Sequence, residues 1–215
     1  METKTRQAKF WLGSFAKPYL KRNLFDPVEL DIDYKNAYGI TRTQMDKEFL
    51  KTIPKNARIL EVGANVGNNL VHLQKMGYKN LYGIELNPEI VELARERVSG
   101  FSIIQGDALD IPFKDGFFDL VFTSTVLVHI APENIKTAMR EIGRCSNKYI
   151  WGLEYFDKKY TEINYRGNAG VLWKTDFPKL YLSTLGKKWS IAKQKFLPWR
   201  SDPAKVDCMF LLKKS

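Results

Sequence analysis

Between Arg58 and Glu154 short apolar runs alternate with stretches whose apolar residues recur every three or four positions. The runs at Ile59–Val62, Leu81–Glu85, Phe101–Gln105, Phe118–Thr123 and Tyr149–Glu154 have the length and content of buried strands. Helical spacing appears at Leu70, Leu73 and Met76, with Gly77 as a stop. It returns after Asn87-Pro88, an N-cap followed by a first-turn proline, and runs to about Val98. A third helix is marked by Ile135, Ala138, Met139 and Ile142 at i, i+3, i+4 and i+7. Trp189–Phe196 and Val206–Lys213 form a closing pair that includes an antiparallel edge strand. This alternation predicts an α/β fold with a doubly wound, mostly parallel sheet and ligands at the C-terminal strand ends.

The flanks are patterned differently. Phe10, Trp11, Leu12, Phe15, Tyr19 and Leu20 suggest one amphipathic helix over residues 1–23, kinked or split at Pro18. Leu24 to Ala37 shows no period and reads as a loop. Tyr38 to Thr52 reads as a second helix, ended by Pro54. The expected organisation is one domain, with a helical lid at 1–56 packed on a core at 57–215 and a substrate-side segment at 154–188.

Composition changes this picture little. The 215 residues, 44% of them hydrophobic, suffice for one substantial core. No apolar run approaches the roughly 20 residues that span a bilayer, and no signal-peptide pattern opens the chain, so no membrane partner and a cytoplasmic location are expected. Cys145 and Cys208 are far apart, and with His72 and His129 they make no ligand pattern, so reduced thiols and no metal are expected. The net charge of +10 lies on the flanks and suggests an anionic partner, a small molecule or nucleic acid, unless it only solubilises the surface.

The candidate chemistry centres on Arg58-Ile-Leu-Glu-Val-Gly-Ala-Asn-Val-Gly-Asn-Asn69, a strand, a glycine-rich turn and a helix start. Gly63 and Gly67 would let the backbone approach a ligand, and the helix N-terminus would point free N–H groups at it. Glu85 closes the next strand, where a carboxylate can accept both ribose hydroxyl hydrogens. A dinucleotide loop requires Gly-x-Gly-x-x-Gly, but Asn65 and Asn68 stand at the second and third positions. Glu61, two residues before Gly63, would repel a pyrophosphate and suit a cationic amino acid moiety. A purely structural turn is the competing reading.

This stretch resembles motif I of the class I S-adenosylmethionine-dependent methyltransferases, which implies a Rossmann-like fold and S-adenosylmethionine as cofactor. Asn65 replaces a glycine common there and is the non-glycine residue best suited to a left-handed backbone. Gly106-Asp107-Ala108 matches the place where such enzymes hold adenine. Ser124-Thr-Val-Leu-Val-His129 is similar to their segment beside the methyl donor. His129 is a candidate base, against the alternative of a packed, hydrogen-bonded residue.

The flanks narrow the resemblance. Phe10-Trp-Leu-Gly-Ser-Phe15, Tyr19-Leu-Lys-Arg-Asn23, Glu154-Tyr155, Tyr165-Arg-Gly167 and Leu172-Trp-Lys-Thr-Asp-Phe177 resemble the pseudaminic acid biosynthesis-associated methylases. That implies a small anionic acceptor, a sugar or sugar nucleotide of surface-glycan synthesis. Glu154, Tyr155, Tyr165, Arg166 and Trp173 are the expected acceptor contacts, since the segment follows the fifth strand. Arg166 would clamp an anion with its guanidinium fork, unless it pairs with Glu154 or Asp176. An RNA- or protein-directed methyltransferase and a non-catalytic nucleoside-binding protein of the same fold are the rivals.

Overall fold

The structure, a computed structural model, describes residues 5–215; residues 1–4 of the expected first helix lie outside the described residues. The strands are β1 (Arg58–Val62), β2 (Asn80–Glu85), β3 (Ser102–Gln105), β4 (Phe118–Ser124), β5 (Ser146–Tyr155), β6 (Thr161–Glu162), β7 (Trp173–Lys174), β8 (Trp189–Trp199) and β9 (Asp202–Lys214). Seven of them form one sheet in the order β3-β2-β1-β4-β5-β9-β8, and β6 and β7 pair separately. The first five run parallel, β9 lies antiparallel to β5, and β8 antiparallel to β9. This is the doubly wound, mostly parallel sheet that the alternation predicts, and it has the Rossmann-like form that the resemblance implies. The sequence order reverses at β1 and β4, which opens a crevice beyond their C-terminal ends.

Two apolar layers hold the sheet. Successive side chains of a strand face opposite ways, so Ile59 enters one layer while Leu60 and Val62 enter the other. The first layer is closed by α4 (Arg42–Phe49), α5 (Asn68–Lys75) and α6 (Pro88–Arg97). The second is closed by α7 (Ile135–Cys145) and α8 (Phe177–Leu185). Each fully buried Leu or Ile here contributes roughly 1.5–3 kcal/mol relative to an exposed one.

The N-terminal region departs from its pattern. The expected single helix is two, α1 (Arg6–Leu12) and α2 (Ala16–Arg22), broken at Gly13-Ser14. Pro18 causes no break, because it falls in the first turn of α2, where the missing N–H is not needed. The expected loop at 24–37 is mostly helix α3 (Pro27–Tyr38). Asp26 caps it and forms a capping box with Glu29, Pro27 sits at its first position, and Gly39 ends it at φ +78. Its apolar stripe is obscured because Val28 and Ile32 face solvent, at 63% and 55% exposure. The expected helix from Tyr38 starts only at Arg42, behind a second capping box of Thr41 and Gln44. No helix among the described residues is long and apolar enough to cross a membrane.

Candidate active site

A cavity of about 620 Å³ runs along the C-terminal edge of the parallel strands, from Asp107 past β3 to Asp207 on β9. Glu61, Gly63, Asn65, Glu85, Asp107, Ala108, Ser124, His129, Tyr155, Tyr165 and Arg166 all line it. Gly67, Glu154 and Trp173, also expected at the site, do not.

At one end three carboxylates face the cavity. Glu85, at the tip of β2, accepts the Asn87 N–H at one oxygen (2.9 Å) and the Asn65 N–H at the other (3.0 Å). Burial raises its pKa, and these backbone bonds oppose the rise. The carboxylate is thereby fixed in orientation, with acceptor positions left for a ribose. Glu61 is 1% exposed; one oxygen accepts from the Asn69 amide at 2.6 Å and the other has no partner. Burial pushes Glu61 up to about 8. An unpartnered buried carboxylate oxygen in a cavity suits an incoming ammonium group, so these residues fit a cofactor bearing an amino acid and a ribose. Asp107 accepts the Leu109 N–H at 2.9 Å through Oδ1, in a tight turn past β3.

The turn itself is left-handed at three places, Gly63 (φ +73), Asn65 (φ +50) and Gly67 (φ +79). A Cβ on Gly63 would lie 2.6 Å from Val126 Cγ2, and one on Gly67 would meet Ile103 at 3.0 Å. Neighbouring protein, and not a ligand, therefore fills the space these glycines leave. For Gly67 this corrects the expected ligand contact: it sets the helix start and packs away from the cavity.

At the centre, β4 ends in Ser124 and then Thr125, whose φ of +54 is a strained state for a β-branched residue. The Thr125 N–H donates to Leu153 O at 2.8 Å. Glu154 holds the next turn from beneath: its two oxygens accept the Val126 and Val128 N–H groups at 3.2 and 3.3 Å. It has 0% exposure and lies under the site, so the expected acceptor contact is corrected to a support for the turn. Trp173 is likewise buried in β7, paired with Glu162 and absent from the cavity wall. His129 ends the 3-10 turn at Leu127–His129 and donates from Nδ1 to Val171 O at 2.8 Å. Its ring meets Trp11 and Tyr165 edge-on at 4.8 and 5.3 Å, and burial pushes its pKa down to about 4. The ring is therefore neutral at ordinary pH, with Nε2 as its acceptor atom.

At the other end sequence reasoning named Tyr155 and missed its neighbours. Tyr34 and Tyr38 from α3, Trp199 from β8 and Asp207 from β9 line it. Arg42, which the sequence did not single out, is 1% exposed and bonds Asp46 (2.7 Å) and the Tyr34 hydroxyl (2.7 Å) behind this wall. The capping boxes around α3 and α4 were the available signal. Arg166 lines the cavity at φ +51, its guanidinium 6.0 Å from the Tyr165 ring centre. Among the described residues it makes no ion pair. Glu154 is engaged with backbone N–H groups, and Asp176 caps α8 through the Lys179 N–H.

Residues 60–148 match a family described as a methyltransferase domain. A phosphoethanolamine N-methyltransferase of Plasmodium falciparum (isolate 3D7) is 24% identical over 181 residues, covering 74% of this chain and 67% of that protein. A norajmaline N-methyltransferase of Rauvolfia serpentina is 41% identical over 86 residues, 36% of this chain but only 28% of its own length. An S-adenosylmethionine-dependent methyltransferase structure from Methanosarcina mazei aligns with a TM-score of 0.62 at 16% identity, covering 76% of this chain and 95% of that one.

Proposed function

We propose, from the premise that this chain is a class I S-adenosylmethionine-dependent methyltransferase, that it transfers the methyl group to a small-molecule acceptor seated between Ser124 and Asp207. The observation that carries this reading is one continuous cavity joining the carboxylate end to an aromatic end. Glu61, Glu85 and Asp107 would hold the cofactor's ammonium, ribose and adenine in turn. Bound S-adenosylmethionine supplies a methyl carbon activated by a sulfonium leaving group. The protein's part is to align an acceptor with that carbon and keep water out, which alignment alone makes effective. Trp11 and Tyr165, each in edge contact with His129, form an aromatic roof over the β4 end.

The N-terminal helices support a lid role. The Asn87 side chain donates to Trp11 O (3.0 Å) and that of Asn68 to Asn23 O (2.6 Å), so α1 and α2 close over the cofactor end. Gln7 reaches Gly170 O at 3.1 Å and ties them to the segment that carries Arg166.

A second reading, an anionic acceptor such as a nonulosonic sugar, keeps one support: Arg166, which lines the cavity without a carboxylate partner among the described residues. Against it stand Asp33, Glu61, Glu85, Asp107 and Asp207, which outnumber Arg166 among the ionisable groups of the wall. Conversion of S-adenosylmethionine to S-adenosylhomocysteine, followed with small amines, anionic sugars, nucleotide sugars and bulk RNA, tests the function. Turnover stimulated by a small molecule is expected. Stimulation by RNA alone, or none with any acceptor class, overturns the proposal.

A further inference from the structure

Asp207 sits beside Tyr155 in the β5–β9 ladder, at the edge of the sheet where the cavity ends. It is 2% exposed, yet among the described residues no Lys or Arg pairs with it. Its carboxylate accepts from the Tyr38 hydroxyl at Oδ2, and the Trp199 indole N–H acts on it as a second, weaker donor. A carboxylate offers about four acceptor positions, so two neutral donors leave part of its capacity unused and its charge unpaired. Removing a carboxylate from water without a counter-charge is costly, and such groups ordinarily find a cation.

The walls around Asp207 are aromatic. Trp199 meets Tyr38 edge-on at 6.1 Å and 82°, and Tyr155 at 6.4 Å and 79°. Rings turned this way present faces in more than one direction, the arrangement that attracts a cationic nitrogen through ring quadrupoles. Burial and the nearby carboxylate push the Tyr38 phenol far above its ordinary value, so it remains a hydrogen-bond donor. Burial pushes Asp207 up to about 6, which leaves it charged in neutral solution.

We propose that Tyr38, Tyr155, Trp199 and Asp207 form a cation subsite that takes an ammonium or quaternary ammonium group of the methyl acceptor. This rests on the reading that the aromatic end holds the acceptor. Asp207 supplies the charge, the rings supply the desolvated wall, and Tyr38 fixes the carboxylate's orientation.

Choline and 3,3-dimethylbutan-1-ol have the same shape and differ in charge, so they separate a cation site from an apolar pocket. Titrated by calorimetry into the full chain saturated with S-adenosylhomocysteine, choline is expected to bind at least tenfold more tightly. Asp207→Asn should reduce that preference below threefold while the S-adenosylhomocysteine Kd stays put. Trp199→Leu should weaken choline at least fivefold and the neutral alcohol much less, and it decides the matter if the Asp207 variant does not fold. Equal binding of the two probes, tighter binding of N-acetylneuraminate than of choline, or an undiminished preference in either variant overturns the subsite. A protein that binds no S-adenosylhomocysteine overturns the methyltransferase reading as well.

Discussion

The carboxylate end of the cavity lies where β1, β2 and β3 end: Glu61 and Glu85 stand among the last residues of their strands and Asp107 in the turn past β3. The aromatic end is assembled from α3, β8 and β9, and its central contact joins Tyr38 to Asp207 across 169 positions. Backbone N–H groups orient the carboxylate at the first end, as at Glu85. Side chains orient one another at the second. A site held by backbone tolerates little change, because its geometry is that of the strand ends. One held by side chains can be rebuilt by exchanging a few residues, which suits a fold whose members share a donor and differ in acceptor.

The comparison breaks most severely at Glu154, which supports the turn between the two ends. Glu154→Ala leaves the Val126 and Val128 N–H groups without acceptors and opens a void, so unfolding free energy should fall by about 2–4 kcal/mol. Denaturant melts check this, and a variant as stable as the parent removes Glu154 from that role. Next comes Gly63→Ala, which combines a left-handed backbone with a 2.6 Å approach to Val126. A loss of roughly 1–3 kcal/mol in stability is expected, with weaker S-adenosylhomocysteine binding. Retained affinity and melting temperature would show that the turn can shift without cost.

A smaller effect sharpens the contrast from the other side. Arg166→Lys keeps the charge and loses the fork, so an anionic acceptor's KM should rise about three- to tenfold while cofactor affinity is unchanged. Normal acceptor kinetics in a stable variant, or a loss of stability instead, would reduce Arg166 to a surface residue.

The last expected effect is a pH dependence in which the cofactor end reaches furthest toward alkaline pH. Glu61, held up to about 8 by burial, binds a proton in the folded state that the unfolded chain releases near the ordinary carboxylate value. Stability of the free protein should therefore fall as pH rises from that value toward about 8. A bound ammonium favours the ionised carboxylate, so S-adenosylhomocysteine affinity should rise over the same window and binding should release protons. Calorimetry in two buffers of different ionisation enthalpy measures that release, and no net proton exchange would contradict it.

The two ends were also unequally legible in the sequence. Glu61 and Glu85 stand near the ends of short, mostly apolar strands and Asp107 just past one, so each could be placed without knowing the tertiary fold. Asn65 was readable because few residues other than glycine accept its backbone. The aromatic end was not, because α3 carries exposed Val28 and Ile32 that spoil its stripe, and because Asp207 gains meaning only when β9 lies beside β5. Glu154 and Trp173 were misplaced for a related reason. Strand periodicity says that a residue ends a strand, but not whether its side chain enters the crevice or the layer beneath it.

The central claim, that the cofactor lies along Glu61, Glu85 and Asp107, is tested most directly by S-adenosylhomocysteine titration of Glu85→Ala. Paired bonds from a carboxylate to ribose hydroxyls contribute roughly 1.5–3 kcal/mol each before solvent compensation. A folded Glu85→Ala protein should therefore bind S-adenosylhomocysteine at least tenfold more weakly than the parent. An unchanged Kd in that folded variant would contradict the account.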